Sequence, residues 1–146
     1  MKTGVFLKAL DNERIVAAIL DAESRSLGEI RVHVSNQTTT EVEAAARAQF
    51  EKLDMTKTAL RNGVLIYVAP RSQKFAVIGD AGIHEEIGPT FWTDIAAAME
   101  ADFRAGRFTD GIVKGVTEAG GALARYFPRE GQSPDVNELS DDVTED

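Results

Sequence analysis

The sequence predicts an α/β domain with a small mixed sheet, and three observations carry that expectation. Residues 63–69, GVLIYVA, are apolar and uncharged throughout, the pattern of a strand buried on both faces. A second β-rich run, Lys74 to Ile78, begins within five residues, with Pro70 pre-set for a turn and Arg71, Ser72 and Gln73 at its tip. That spacing predicts an antiparallel hairpin. Upstream, a strand and then a helix lead into the buried strand, and such a crossover sets the two strands parallel.

The elements follow in order. A first helix is expected from about Asp11 to Ser26, with Asp11 as N-cap, Ile15, Ala18, Ile19 and Ala22 as its apolar stripe, and Leu27-Gly28 as its end. In the strand from Glu29 to Ser35, Ile30, Val32 and Val34 alternate with Arg31, His33 and Ser35, which puts His33 on a polar, partly covered face. A second helix is expected from Thr40, where Thr40 and Glu43 have the spacing of a reciprocal cap, and Val42, Ala46, Phe50 and Leu53 form its buried stripe. Beyond the hairpin, Gly82 and Gly88-Pro89 bracket a short helical turn. A helix from Phe91 to Ala105 carries Trp92, Ile95, Met99 and Phe103 on one side and stops at Gly106. Asp94 and Asp102 are expected on its solvated face. The final helix, capped by Thr109 or Asp110, carries Ile112, Val113, Val116, Leu123 and Phe127, with Gly111 and Gly115 set for close packing, and Pro128 ends it.

Composition bounds the function. A chain of 146 residues that is 43% hydrophobic is long enough to bury one real core. Cysteine is absent, which excludes disulfides and thiolate chemistry, and two histidines alone do not make a zinc centre. No apolar run approaches the roughly 20 residues of a membrane span, and Lys8 interrupts the start too early for a signal peptide. A cytoplasmic monomer is the resulting expectation. The net charge of −8 is uneven, because Pro128 to Asp146 carry seven carboxylates against Arg129, leaving about −2 for the body. A body without a basic face argues against nucleic acid. The sequence divides into a domain at 1–127 and an acidic tail at 128–146, read as solvated, with Val136, Leu139 and Val143 able to dock on an apolar groove.

The predicted strand directions gather one candidate site. The start of the first strand (Glu29), the start of the second (Asn62) and the end of the third (Asp80) share one rim of the sheet, which Lys57, Arg61 and His84 also reach. Three arrangements are open there. Oxygens of Glu29, Asn62 and Asp80 suit Ca²⁺ or Mg²⁺; Lys57, Arg61 and His84 suit an anion; or the set makes caps and ion pairs that close the sheet. No nucleophile elbow, H-E-x-x-H, Walker A or D-x-D motif is present, so no catalytic residue is assigned.

Three stretches, FEKLDMTKTALRNGVLIYVAP (50–70), KFAVIGDAGI (74–83) and FRAGRFTDGIVKGV (103–116), resemble the TPM domain family, named for thylakoid-lumen phosphatase-like, photosystem II repair and acetylcholine-receptor modulator proteins. The resemblance runs from about the first helix to Phe127. SLGEIRV (26–32) and Asn137-Glu138-Leu139 are similar to a short bacterial branch, with Ser140 where proline is typical. It implies a Rossmann-like three-layer α/β/α sandwich. Relatives are described as acid phosphatases, as divalent-cation binders, or as acting in membrane-protein maintenance, and bacterial ones often accompany LemA-type membrane proteins. Arg61 stands where the family commonly has Asp, and His84 falls on or near a family Glu, whereas Asn62 and Gly63 match. The expectation is therefore a binding or adaptor module for a membrane-associated partner. The alternative is a metal-assisted acid phosphatase acting on phosphate monoesters, with Asp80 and Glu29 as ligands and Lys57 or Arg61 orienting phosphate.

Overall fold

The computed structural model describes residues 1–129 and 143–146. Its elements in chain order are α1 (Thr3–Ala9), α2 (Asn12–Ser24), β1 (Glu29–Val34), α3 (Val42–Lys52), β2 (Gly63–Ala69), β3 (Lys74–Gly79), α4 (Ala81–Glu86), α5 (Phe91–Arg104), α6 (Phe108–Tyr126) and β4 (Thr144–Glu145). Single 3-10 turns at Met55–Lys57 and Pro70–Ser72 precede and follow β2.

Among the described residues the strands form one sheet in the order β3-β2-β1-β4. β1 lies parallel to β2, with Glu29 opposite Gly63 and Val34 opposite Val68. β3 returns antiparallel, with Val64 opposite Gly79. Pro70 turns the hairpin as its fixed φ allows, and Gln73 completes the turn in the left-handed region at φ 51°.

Every residue of β2 is buried, because helices cover both faces of the strand. On one face Val64, Ile66 and Val68 join residues of α2, α5 and α6 in the larger core; on the other Leu65, Tyr67 and Ala69 meet Ala46 and Phe50 of α3. The result is the expected three-layer α/β/α arrangement. Gly115 lets α6 approach α5 closely, since a Cβ there would stand 2.5 Å from Met99 Sδ.

Local signals held unevenly. Asp11 caps α2 through its side chain, which accepts from Arg14 N–H at 3.2 Å. The reciprocal cap at Thr40 and Glu43 does not form: Glu41 is the N-cap residue, and its N–H donates to Thr39 Oγ1 at 3.0 Å. The Thr40 carbonyl instead accepts from Lys74 Nζ at 3.3 Å. Thr109 and Asp110 do not cap α6, which starts from Arg107. Thr109 Oγ1 accepts from Asp11 N–H at 3.0 Å and Asp110 pairs with Arg14 at 3.0 Å, so both tie α6 to α2. The segment before Asp11 forms a helix of its own, α1, whose Phe6 is buried 4.9 Å from the ring of Phe108.

The tail also departs from a uniformly solvated end. Thr144–Glu145 extends the sheet as β4, parallel to β1, with Thr144 opposite His33 and Glu145 opposite Val34. Val143 packs against the larger core, as the docking expectation has it, while Val136 and Leu139 lie outside the described residues. His33 is consequently 1% exposed, on a face expected to be polar and only partly covered. No described helix is long and apolar enough to cross a membrane.

Candidate functional site

The strand register brings the expected rim together. Glu29 N–H donates to the Asn62 carbonyl at 3.5 Å, and Asp80 N–H donates to the Gly63 carbonyl at 3.0 Å, which places Glu29, Asn62 and Asp80 at the amino ends of the parallel strands. All three are buried. Asn62 is held by its amide, which donates to the Leu27 carbonyl at 3.0 Å, and by Thr58 Oγ1, which accepts from its backbone N–H at 3.2 Å.

Arg61 dominates the rim. Its Nε and Nη2 donate to the two oxygens of Asp80 at 2.7 and 2.8 Å, a two-pronged pair in which Asp80 is 5% and Arg61 49% exposed by side chain. The hydrogen bonds and charge of Asp80 raise the guanidinium above its ordinary pKa. Asp80 Oδ1 also accepts from Ala81 N–H at 2.7 Å and so caps α4. Arg61 sits in the left-handed region at φ 52°, a conformation that costs a non-glycine residue about 1 kcal/mol or more.

The side chains of Lys57 and His84 take no part in this pair. Lys57 is exposed and pairs with Asp54 at 3.3 Å. His84 lies one turn into α4, exposed, with its ring 6.3 Å from that of Trp92. Among the described residues no three His, Cys, Asp or Glu side chains are grouped to hold a metal ion.

Two further places carry no local signal in the sequence. At the end of β2 and the start of β3, Phe6, Val68, Phe75, Phe103 and Phe108 line a cavity of about 520 Å³ together with Arg104 and Glu100. Along the outer edge of β1, His33 Nε2 meets Asp146 Oδ1 at 2.8 Å and His33 Nδ1 meets Thr144 Oγ1 at 2.8 Å. Asp146 Oδ2 accepts from Ser35 Oγ and from Asn36 N–H, both at 2.7 Å. Burial opposes the charge on Asp146, but the hydrogen bonds from Ser35, His33 and Asn36 outweigh it and hold the carboxyl below its usual range. A depressed folded pKa means that this contact is fully present above the ordinary carboxylate value near 3.9 and is lost as pH falls through the lower folded one. The Asn36 amide resonance should therefore shift as the pH falls below about 4. An Asp146→Asn chain that shows the same acid transition would refute the assignment.

A family model for the TPM domain matches residues 2–122. The chain belongs to the TPM domain family. The TPM domain is similar to the BA42 protein of the psychrophilic bacterium Bizionia argentinensis, at 39% identity over 94% of this chain and 95% of that one, with a TM-score of 0.84. The N-terminal domain of a Porphyromonas gingivalis protein shares the fold, with a TM-score of 0.62 at 18% identity over 78% of each chain. No curated protein matches the chain. Within this TPM domain the stretch at 103–116 works as a fastening. Asp102, expected on a solvated face, is 6% exposed and takes Arg107 at 2.9 Å and Lys114 at 3.3 Å. The hydrogen bond from Arg107 leads in lowering its pKa, against the effect of burial and with help from Lys114.

Proposed function

We propose that this TPM domain is a binding module that presents Arg61 to an acidic group on a membrane-associated protein partner. The observation that carries the reading is the Arg61–Asp80 pair. Asp80 fixes one edge of a half-exposed guanidinium, and the remaining N–H donors of that planar fork are left for a carboxylate or phosphate. A left-handed backbone at Arg61 is the kind of conformation that persists where function needs a side chain held in place. Exposed Lys57 and His84 flank the same rim, which favours an anionic contact. A partner of the LemA type fits what the family resemblance implies, and a role in membrane-protein or envelope maintenance follows from it.

Calcium or magnesium at Glu29, Asn62 and Asp80 is disfavoured by the same pair. A cation there would have to displace the guanidinium from both oxygens of Asp80, and the positive charge beside it would repel the ion. The second reading, a metal-assisted phosphatase, draws on the family model, which carries the name TPM phosphatase. In that reading Arg61 and Lys57 would hold the phosphate of a monoester.

One set of measurements separates these readings. A photo-crosslinker at position 57 in cells should capture a membrane-associated protein, and the adduct should disappear in Arg61→Ala. Thermal midpoints should be the same in Ca²⁺, Mg²⁺ or Mn²⁺ as in chelator, and p-nitrophenyl phosphate should not turn over. A midpoint that climbs with cation concentration and is flat in Asp80→Asn would replace the reading with a cation site, since about 2.7 kcal/mol is expected at a hundredfold excess over Kd. Turnover abolished by Asp80→Ala would replace it with the phosphatase.

A further inference from the structure

The outer edge of β1 is built as a receptor, and the chain fills it with its own last described residues. The receptor half belongs to the body of the domain. Ser35 N–H donates to the Val68 carbonyl at 2.8 Å, and Gln37 N–H donates to Ser35 Oγ at 3.1 Å, which leaves the Ser35 hydroxyl proton aimed at Asp146. His33 is stacked on Tyr67, with ring centroids 5.9 Å apart and 17° between planes. The Asn36 amide supplies a third donor to the same carboxylate. The amino end of this edge is closed separately, by Glu23 Oε2 accepting from Ile30 N–H at 3.0 Å.

The occupying half is short. β4 makes only two ladder pairs, and two pairs give little hold by backbone alone. The side chains supply the rest. Thr144 Oγ1 lies between His33 Nδ1 and the Val32 carbonyl, at 2.8 and 3.2 Å, and Asp146 takes three donors. Val143 adds an apolar contact, whereas Glu145 contributes its backbone pairing with Val34 and its exposed side chain makes no hydrogen bond to the described residues. The pattern that the edge reads is thus apolar, hydroxyl, any residue, acid.

We propose that this edge is a docking slot for an extended segment of a partner protein with that pattern, and that residues 143–146 are a built-in occupant which the partner displaces. Addition of a strand to an open sheet edge, with side chains giving specificity, is a common mode of peptide recognition. A longer partner strand can add pairs at Arg31 and Val32, positions that β4 does not pair among the described residues. A second copy of this chain gains nothing by exchange, because it must give up the identical contact it brings. The slot lies at the opposite end of β1 from Arg61, so it is independent of the rim reading.

The test uses the full chain and a fluorescein-labelled peptide ending in Val-Thr-Glu-Asp. In the unaltered protein the peptide competes with a tethered segment at an effective concentration on the order of millimolar. Asp146→Ala, which weakens the tether, should bind the peptide at least tenfold more tightly than wild type. Replacing the peptide's Thr by Val or its Asp by Asn should abolish the gain. An NMR titration of the unaltered chain reads displacement without any substitution: the resonances of Val143 to Asp146 should move to free positions while those of His33 and Ser35 remain in a bound one. Equal affinity of the two proteins together with no displacement at millimolar peptide overturns the proposal. So does binding that is indifferent to the peptide's acid. A concentration-dependent dimer that vanishes in Asp146→Ala would put a second copy in the slot and overturn the partner assignment.

Discussion

Replacing Gly82 by alanine should destabilise the domain by about 3 kcal/mol and loosen the Arg61–Asp80 pair. A Cβ at that position would stand 2.3 Å from the Leu60 carbonyl oxygen and 2.7 Å from that of Arg61. Both obstacles are backbone, so no flexible side chain can swing away. Gly82 N–H also donates to the Arg61 carbonyl at 2.9 Å, which seats the loop directly on the first turn of α4. Relief requires that the loop lift, and Arg61 would lift with it. Urea unfolding measures the cost. Gly121→Ala is the matched control: it lies in α6 with open space around the added methyl, so it should be neutral or stabilising by up to about 1 kcal/mol. Equal stability of Gly82→Ala and wild type would show that the contact between this loop and α4 is not close.

Ile66→Ala should cost about 4 kcal/mol and Leu65→Ala, its neighbour in β2, nearer 2.5 kcal/mol. Both side chains are fully buried, so transfer from water is similar for the two. What differs is the ability of the surroundings to close over the cavity. Ile66 faces the core shared by α2, α5 and α6, which brace one another. Leu65 faces the smaller cluster under α3, one helix that can settle toward the sheet. Paired denaturant curves decide the order, and a larger loss at Leu65 would mean that the α3 face is the more rigid one.

These expectations rest on the part of the fold that was legible in the sequence. An uncharged run from Gly63 to Ala69 has no stable place except between two layers. Pro70 followed by a β-rich run leaves little choice but a hairpin. From those directions alone Glu29, Asn62 and Asp80 had to share one end of the sheet. Side-chain pairing was not legible to the same degree. That Arg61 reaches Asp80 could be placed but not oriented, because the left-handed residue is Arg61 itself and not the Asn62 or Gly63 that follows it. His33 was misplaced for a different reason. Alternation with Ile30, Val32 and Val34 reports that its face differs from theirs, but not that residues 111 and 113 positions away will cover it. Asp102 and Thr109 mislead similarly, since a solvated face for the one and a local cap for the other were the nearest explanations, while their partners lie across a helix junction or on another helix.

The long separation between His33 and Thr144 has a kinetic consequence. β1, β2 and β3 can assemble from residues within about fifty positions of one another, whereas β4 closes a loop more than twice as long and gains two ladder pairs in return. Collapse of the three central strands with their helices therefore precedes closure of that edge. Changes at Asp146 then act mainly on how soon the native state opens, and hardly on the rate at which it is reached.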